Sequence, residues 1–283
     1  MKIFVYGGAG QISSSVISKL LDLGHEVYAG TRKPETGKKL PGLTWVFADA
    51  TQPTKGIEVL EKVERAFFIS PPGYTDQYSV LNPWFEKAKT SSLKKVVLMS
   101  AMGVDFAPPE APFRKLEISL ENSGVPYTIL RPNWFMQNFQ TYWLSGILKD
   151  KKISFPAGNA KTSFIHTDDI SSSVVSALLN DQFNGKGITL TGKEALTHEE
   201  VAEKISKHTG LKVSYADISP EAFKAGLLQA GVPEDYASFM VFIAGALKEG
   251  HSSPILNTVR EITGKDPISF DEYAEQNKKV WLN

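Results

Sequence analysis

The chain has 283 residues, 42% of them hydrophobic, which allows one large α/β domain or a domain with a smaller appendage. Basic and acidic residues number 31 each, so the zero formal charge gives no electrostatic reason to expect a nucleic acid or an anionic membrane surface as partner. There are no cysteines, which excludes disulfides, thiolate metal sites and a cysteine nucleophile.

The start of the chain carries too few apolar residues for a signal-peptide core, and no apolar run approaches membrane-spanning length. We therefore expect a cytoplasmic protein that does not associate with membranes and that acts as a monomer or homodimer.

Short apolar runs alternate with helical patterns through the first half of the chain. KIFVY (2–6) predicts a buried strand, and the spacing of Ile12, Val16 and Leu20 predicts a helix over 12–23. Further strands are predicted at 25–30, 43–49, 66–70, 95–100 and 126–131, and helices at 57–63, 78–90 and 114–122. Apolar strands bounded by helices predict a Rossmann-type α/β fold, a doubly wound parallel sheet covered on both faces.

Beyond Pro132 this alternation ends. The patterns predict a helix at 134–148, an extended piece at 153–158, a helix at 168–179, a strand at 187–192 and mainly helices from Ser219 onward. Thr197 and Glu200 form a capping-box signature for one more helix. We therefore predict a dinucleotide-binding domain at 1–132 and a smaller, mainly helical substrate region at 133–283, packed on the sheet and partly returning to it.

The first strand ends in YGGAGQISS (6–14), which places Gly7, Gly10 and Ser13 at a GxxGxxG-type spacing. A tight turn of bare backbone followed by a helix N-terminus suits a pyrophosphate, because free N–H groups and the positive end of the helix dipole meet there. Since the motif lies between a predicted strand and helix, it indicates a dinucleotide site.

The second strand indicates which dinucleotide is bound. It ends Ala29-Gly30-Thr31-Arg32-Lys33, without the acidic residue that typically binds the ribose 2′-hydroxyl of NAD. Thr31 can donate a hydrogen bond to a 2′-phosphate, and Arg32 can pair with it in a bidentate manner. The sequence therefore predicts NADP(H) as the cofactor.

Five segments together resemble a known group: the glycine loop, TRK at 31–33, FAD at 47–49, SGVPYTILRPNWFMQNF at 123–139 and FIHTDDIS at 164–171. They are similar to the NmrA-like branch of the atypical short-chain dehydrogenases. That branch includes NADPH-dependent quinone reductases, triphenylmethane dye reductases, clavine dehydrogenases and the redox-sensing regulator NmrA. The resemblance covers nearly the whole chain.

The resemblance implies contacts for each part of the cofactor. Asp49 would contact the adenine amine, with a cap of the following turn as its alternative role. The predicted cofactor contacts, including the glycine loop and second strand, are Gly7, Gly8, Gly10, Gln11, Ile12, Thr31, Arg32, Asp49, Ser70, Pro71, Pro72, Ser100, Met102, Pro132, Asn133 and Phe135. The predicted substrate contacts, in two aromatic-rich regions, are Trp134, Phe135, Phe139, Tyr236 and Met240.

One expected feature of short-chain dehydrogenases is missing. Carbonyl reductases of that group use Tyr and Lys at YxxxK spacing, the tyrosine as proton donor and the lysine to lower its pKa. Alignment on the helix before the sixth strand puts Pro109 at the tyrosine position and Phe113 at the lysine position. Lys115 lies two residues along, about 200° around a helix, and would face away. Ser100 is the polar side chain predicted as a proton relay, with a strand-end cap as its alternative role.

A chain without this proton donor can still transfer hydride to an acceptor that is already cationic or electron-poor. We therefore predict an NADPH-dependent oxidoreductase that reduces a quinone, an iminium or another small conjugated substrate. The alternatives are a regulator that binds NADP(H) without turnover and, less favoured, a sugar-nucleotide epimerase, which would need the missing pair. No metal site is predicted, because the five histidines are isolated.

Overall fold

The computed structural model describes residues 1–282 of the chain. Two compact units are formed, and neither corresponds to one continuous stretch. The first unit comprises Met1–Pro132 together with Ile170–Thr189. The second comprises Asn133–Asp169 and the chain from Leu190 onward.

The strands of the described chain are β1 (Lys2–Val5), β2 (Glu26–Thr31), β3 (Leu43–Phe47), β4 (Arg65–Ile69), β5 (Lys95–Met99), β6 (Tyr127–Pro132), β7 (Lys152–Phe155), β8 (Lys186–Leu190) and β9 (Ser214–Asp217). The first unit is built on a sheet in the order β3-β2-β1-β4-β5-β6-β8, and its neighbours from β3 to β6 pair in parallel. The order reverses between β1 and β4, which is the switch point of a doubly wound sheet. The predicted fold class is confirmed.

The α-helices are α1 (Gln11–Asp22), α2 (Gln77–Lys89), α3 (Pro112–Glu121), α4 (Leu144–Asp150), α5 (Thr167–Leu179), α6 (His198–Thr209), α7 (Pro220–Gln229), α8 (Glu234–Lys248), α9 (Thr258–Thr263) and α10 (Phe270–Leu282). Within residues 1–282, no helix combines the length and apolar character needed to cross a membrane.

One face of the sheet carries a core that is largely aromatic. Phe4 stacks on Trp84 of α2 with ring centroids 5.1 Å apart and planes within 9° of parallel. Phe68 meets the edge of Phe85 at 5.4 Å, and all four side chains are fully buried. Because each aromatic ring removes a large apolar area from water, this layer holds α2 firmly against the strands whose carboxyl ends carry the predicted site.

Two buried cations lie at the amino edge of the sheet, where α5 ends. The Arg65 guanidinium donates to the carbonyl of Leu178 at 2.5 Å and to the Asp181 carboxylate at 2.9 Å. The Lys95 ammonium donates to the carbonyl of Asn180 at 2.7 Å. Burial lowers the pKa of Lys95 to about 8. Both cations therefore satisfy carbonyls at the C-terminus of α5, where the helix dipole favours positive charge.

The second unit differs from the sequence prediction at two places. Strands β7 and β9 form a small parallel pair, and β9 was not predicted. The single helix predicted over 134–148 is instead an extended start, a 3₁₀ turn over Met136–Gln140 and the short helix α4. The extended start arises because Phe135 bridges to Ile165 as in a parallel sheet. The predicted capping box is confirmed, with Thr197 and Glu200 bonding reciprocally at the start of α6.

His198, the first residue of α6, lies in the aromatic core of this unit. Its imidazole is completely buried, and neither ring nitrogen has a hydrogen-bond partner in the part of the chain that the structure describes. The surrounding rings have centroids 5.0–5.5 Å away and belong to Phe155, Phe164, Trp143 and Tyr215. Burial without a compensating acid lowers the pKa of His198 to about 3, so the ring is neutral in the folded state.

His198→Phe is expected to flatten the pH dependence of stability. The unfolded chain binds the histidine proton near pH ~6.5 and the folded chain only near the lowered pKa, so acidification favours unfolding. For the wild type this linkage removes about 2 kcal/mol of unfolding free energy between about pH 8 and about pH 5. Urea unfolding at both pH values checks it. The exposed His251→Phe variant is the control, and an equal loss in His198→Phe and wild type would refute the assignment.

Candidate functional site

The glycine loop connects β1 to α1 through a turn that the backbone alone closes. Gly7 has φ +65°, in the left-handed region, and its carbonyl accepts from the Gly10 N–H at 2.8 Å. A Cβ on Gly8 would lie 2.9 Å from the Cβ of Ala29, so Gly8 is required by packing against β2. Gly10 differs, because an added Cβ would meet only the Gly7 carbonyl oxygen, at 3.2 Å, among the described residues.

The N-terminus of α1 is open to an anion. Its N-cap is Gly10, which has no side chain to occupy the first N–H groups, and the first turn contains no acidic residue. Ser13 is buried, and its hydroxyl donates to the Tyr6 carbonyl at 2.9 Å. The serine at the third position of the motif therefore connects the start of α1 to the end of β1. Gln11 and Ile12 are the first two residues of α1.

The ends of β2 and β3 bring Arg32 and Asp49 into electrostatic contact. The Asp49 carboxylate accepts from the Thr51 N–H at 2.9 Å, so it does cap the following turn. That hydrogen bond is the main reason why the pKa of Asp49 lies below its usual value, and the positive charge of Arg32 lowers it further. Arg32 itself is exposed and Thr31 half-buried, so this edge offers both a cation and a hydroxyl to a ligand.

The ends of β4 and β5 complete the edge. Ser70 and Pro71 are half-buried and Pro72 is exposed. Ser100 is 3% exposed, and its hydroxyl has no hydrogen-bond partner within residues 1–282. An unpaired buried hydroxyl at the carboxyl end of a strand is costly unless a ligand or water satisfies it. Together with the open face of Gly10, this orphaned group shows that the edge fits a dinucleotide.

The helix that usually carries the proton donor lacks it here. α3 begins at Pro112, so Pro109 lies in the preceding turn and not on the helix. Phe113 is half-buried. The Lys115 ammonium lies 4.0 Å from the centroid of the Tyr78 ring on α2. Lys115 therefore makes a cation–π contact with α2, in keeping with the predicted rotation of this residue around the helix.

Lys115→Ala is expected to leave turnover within about twofold of wild type, because an exposed cation–π contact contributes only about 0.5–1 kcal/mol to stability. Phe113→Tyr, which adds a phenol at the aligned lysine position, should change turnover equally little. Steady-state NADPH oxidation with the best acceptor measures both. A large loss of kcat in Lys115→Ala alone would mean that the ammonium reaches the reacting atoms.

In the second unit, Asn133 is fully engaged by its own neighbours. Its amide donates to the Ser163 hydroxyl and to the Ser252 carbonyl, both at 2.8 Å, and its oxygen accepts from the Trp134 N–H at 2.9 Å. The 3%-exposed side chain thus joins three segments of the unit. Any cofactor contact from Asn133 would come from its backbone or would compete with these bonds.

The predicted substrate residues fall into two groups. Trp134, Phe135 and Tyr236 are half-buried and Met240 is 9% exposed, so each keeps some accessible surface. Phe139 has none, because it packs among Trp143, Phe164 and Phe270 and its carbonyl accepts from the Trp281 indole. The structure places Phe139 in the core of the second unit, where it stabilises packing.

The sequence interpretation missed an ion pair at the end of β6. Arg131 donates to both carboxylate oxygens of Glu117 at 2.9 Å, and Glu117 is completely buried. The Asp105 carboxylate lies 3.4 Å from the same guanidinium. A signal was present, since an arginine inside the apolar run PYTILR needs an acidic partner if it is buried.

Comparisons with known proteins agree with this description. The model of the NmrA-like family matches residues 1–274. The uncharacterized oxidoreductase YesF of Bacillus subtilis is 31% identical, over 99% of this chain and 96% of its own. An agroclavine dehydrogenase of Claviceps fusiformis is 26% identical, over 100% and 99% of the two chains. The structure of the NADPH-dependent quinone oxidoreductase QOR2 of Escherichia coli with NADPH has a TM-score of 0.86 at 22% identity, covering 97% of this chain and 99% of that one.

The structural likeness extends over nearly the full length of both chains and supports the Rossmann-type fold. The family match covers all five segments that carried the resemblance: the glycine loop, 31–33, 47–49, 123–139 and 164–171. With the sequence relatives spanning almost the whole chain, this confirms the predicted relationship, and the protein belongs to the NmrA-like family.

Proposed function

We propose that this protein is an NADPH-dependent reductase that passes hydride directly to a quinone, an iminium or another conjugated acceptor. The observation that carries the proposal is the open N-terminus of α1 together with an α3 that has no tyrosine and whose one lysine lies over the Tyr78 ring. Relatives named as an oxidoreductase and a dehydrogenase support the enzyme class. The QOR2 structure with NADPH supports the choice of cofactor.

The first unit supplies a group for each part of the cofactor. The open N–H groups at the start of α1 would hold the pyrophosphate, and Thr31 with Arg32 would hold the 2′-phosphate. The carboxylate of Asp49 would accept a hydrogen bond from the adenine amine. Ser100 would donate its unpaired hydroxyl near the nicotinamide end, where NADPH supplies the hydride.

Direct transfer explains why the missing proton donor is tolerated. A ketone needs a proton as the alkoxide forms, whereas a quinone or iminium takes up hydride into a stabilised anion or a neutral amine. Orientation of the acceptor is then the main task of the protein. The predicted acceptor contacts of the second unit are the half-buried Trp134, Phe135 and Tyr236, because aromatic side chains suit flat conjugated molecules.

The same absence also favours a second candidate, a regulator that binds NADP(H) without turnover. Such a protein needs affinity for the cofactor but no acceptor. The two candidates therefore differ in whether any acceptor accelerates NADPH oxidation.

The test follows NADPH absorbance with a benzoquinone, a naphthoquinone, a triarylmethane dye, a cyclic iminium and a simple ketone. We expect turnover with the electron-poor or cationic acceptors and none with the ketone. The Gly10→Val variant is the background control, because quinones can oxidise NADPH slowly on their own. Tight NADPH binding without turnover of any acceptor would reject the reductase and favour the regulator.

A further inference from the structure

Phe106 is the most exposed large apolar side chain in the described chain. It ends a 3₁₀ turn over Val104–Phe106, seven residues after the last residue of β5, and 89% of its surface is accessible. Single exposed apolar residues are common at loop tips, so exposure alone says little. The contacts of this loop with the end of β6 fix where the exposed side chain lies.

The backbone between Ser100 and Ala107 is closed by consecutive hydrogen bonds. The Met102 N–H donates to the Pro132 carbonyl at 3.0 Å, which ties the loop to the end of β6. Gly103 has φ +86°, a left-handed conformation that turns the chain, and the Phe106 N–H donates back to the Gly103 carbonyl at 3.1 Å. The loop is therefore held by hydrogen bonds within itself and to the end of β6.

A relay of ion pairs contacts Asp105, the residue next to Phe106; its inner members Arg131 and Glu117 are buried, and the Asp105 side chain is 34% exposed. The Asp105 carboxylate pairs with Arg131 at 3.4 Å. Arg131 in turn donates two hydrogen bonds to the buried carboxylate of Glu117. Gly187 closes the slot around the guanidinium, because a Cβ there would lie 2.5 Å from Nη1. Since Arg131 lies at the end of β6, this relay holds residue 105 beyond the carboxyl ends of β5 and β6.

That position decides what the ring can meet. The glycine loop, Arg32 and Asp49 lie at the ends of β1, β2 and β3, so the adenosine half belongs on that side of the switch point. The reactive half of a dinucleotide then extends over β4, β5 and β6. The Phe106 ring faces solvent on this side, where a second molecule would approach the nicotinamide.

We propose that Phe106 is a binding residue for the flat conjugated acceptor, and that Asp105 is a positioning residue which holds the ring through Arg131. The inference rests on the proposed function and deepens it by assigning an acceptor contact within the first unit. A phenyl face stacks on an electron-poor quinone and attracts a delocalised cation, so one ring serves both acceptor classes.

The test measures binding without turnover. Isothermal titration calorimetry of 1,4-naphthoquinone into NADP⁺-loaded protein gives the acceptor Kd, because NADP⁺ has no hydride to transfer. Phe106→Ala should weaken this binding about tenfold, and Phe106→Trp should retain it. Leu23→Ala is the matched control, since it truncates a 57%-exposed apolar side chain at the far end of α1. Its Kd should not change.

Asp105→Ala should weaken naphthoquinone binding about threefold by loosening the loop, and Asp105→Glu should restore most of it. NADP⁺ affinity should stay constant in every variant. An unchanged naphthoquinone Kd in Phe106→Ala, or no binding by wild type, overturns the inference. The proposed function fails separately, if wild type oxidises NADPH with no acceptor, and a Phe106-dependent Kd would then still support the aromatic site.

Discussion

Gly10→Val is expected to lower the affinity for both NADPH and NADH by about a thousandfold. An N–H group that donates to a charged oxygen contributes about 1.5–3 kcal/mol, so blocking two of them costs about 4 kcal/mol, or about three decades in Kd. The φ of −73° at Gly10 suits any residue, and an added Cβ meets the Gly7 carbonyl oxygen at 3.2 Å. The valine branches would therefore fill the space of the pyrophosphate while the loop keeps its fold.

Fluorescence titration with each nucleotide measures the loss, and circular dichroism shows that the variant is folded. Gly226→Val is the matched control, because it makes the same change inside α7, where an added Cβ meets nothing within 4 Å among the described residues. The control should bind both nucleotides like wild type. A folded Gly10→Val protein that still binds either nucleotide would remove the loop from the site.

Arg32→Ala is expected to weaken NADPH binding by about 30- to 100-fold and NADH binding by less than about twofold. The selectivity arises because NADPH has the 2′-phosphate, and a bidentate pair between guanidinium and phosphate contributes about 2–3 kcal/mol. Arg32 is exposed, and its charge interacts with that of Asp49, which is not buried. Removal of Arg32 therefore leaves no buried charge behind. The ratio of the two dissociation constants measures the effect.

Lys33→Ala separates this specific role from general positive charge. The neighbouring lysine is also exposed, but an ammonium acts as a point charge and lacks the planar fork of a guanidinium. We expect its loss to cost NADPH about threefold, and Arg32→Lys to lie between wild type and Arg32→Ala. Equal losses for NADPH and NADH in Arg32→Ala would show that Arg32 does not contact the 2′-phosphate.

The sheet was predictable because its strands are continuous apolar runs. All side chains of β5 and nearly all of β4 are buried, so their sequences carry the signal without any partner being known. Strand β9 lacks that signal. Its four residues are exposed at both ends and half-buried between them, and it pairs with the short β7.

The helix predicted over 134–148 shows how a correct pattern of burial can mislead. Met136, Phe139, Trp143 and Ile147 are all buried at helical spacing. The backbone nevertheless departs from helix at Thr141, which has φ −129° and ψ −83°. Periodicity reports which side chains face the core, and it does not report a break that keeps them facing the same way.

The candidate site divides in the same manner. The glycine loop and the basic end of β2 were predictable because their chemistry lies within a few consecutive residues. The relay of Glu117, Arg131 and Asp105 was not predicted, since its members are 12 to 26 positions apart and only the fold brings them together. Nothing in the sequence singles out Phe106 either, because a phenylalanine in a loop suggests a binding role only when its exposure is known.

The cations under α5 bear on how this chain can change over evolution. Arg65 and Lys95 belong to the early strands, yet the carbonyls of Leu178 and Asn180 that they satisfy follow the first segment of the second unit, Asn133–Asp169. A fragment ending at Pro132 would lose these acceptors and leave both cations to water. Residues before Pro132 and α5 must therefore be inherited together, because truncation of the chain before Ile170 removes a part of the first unit itself.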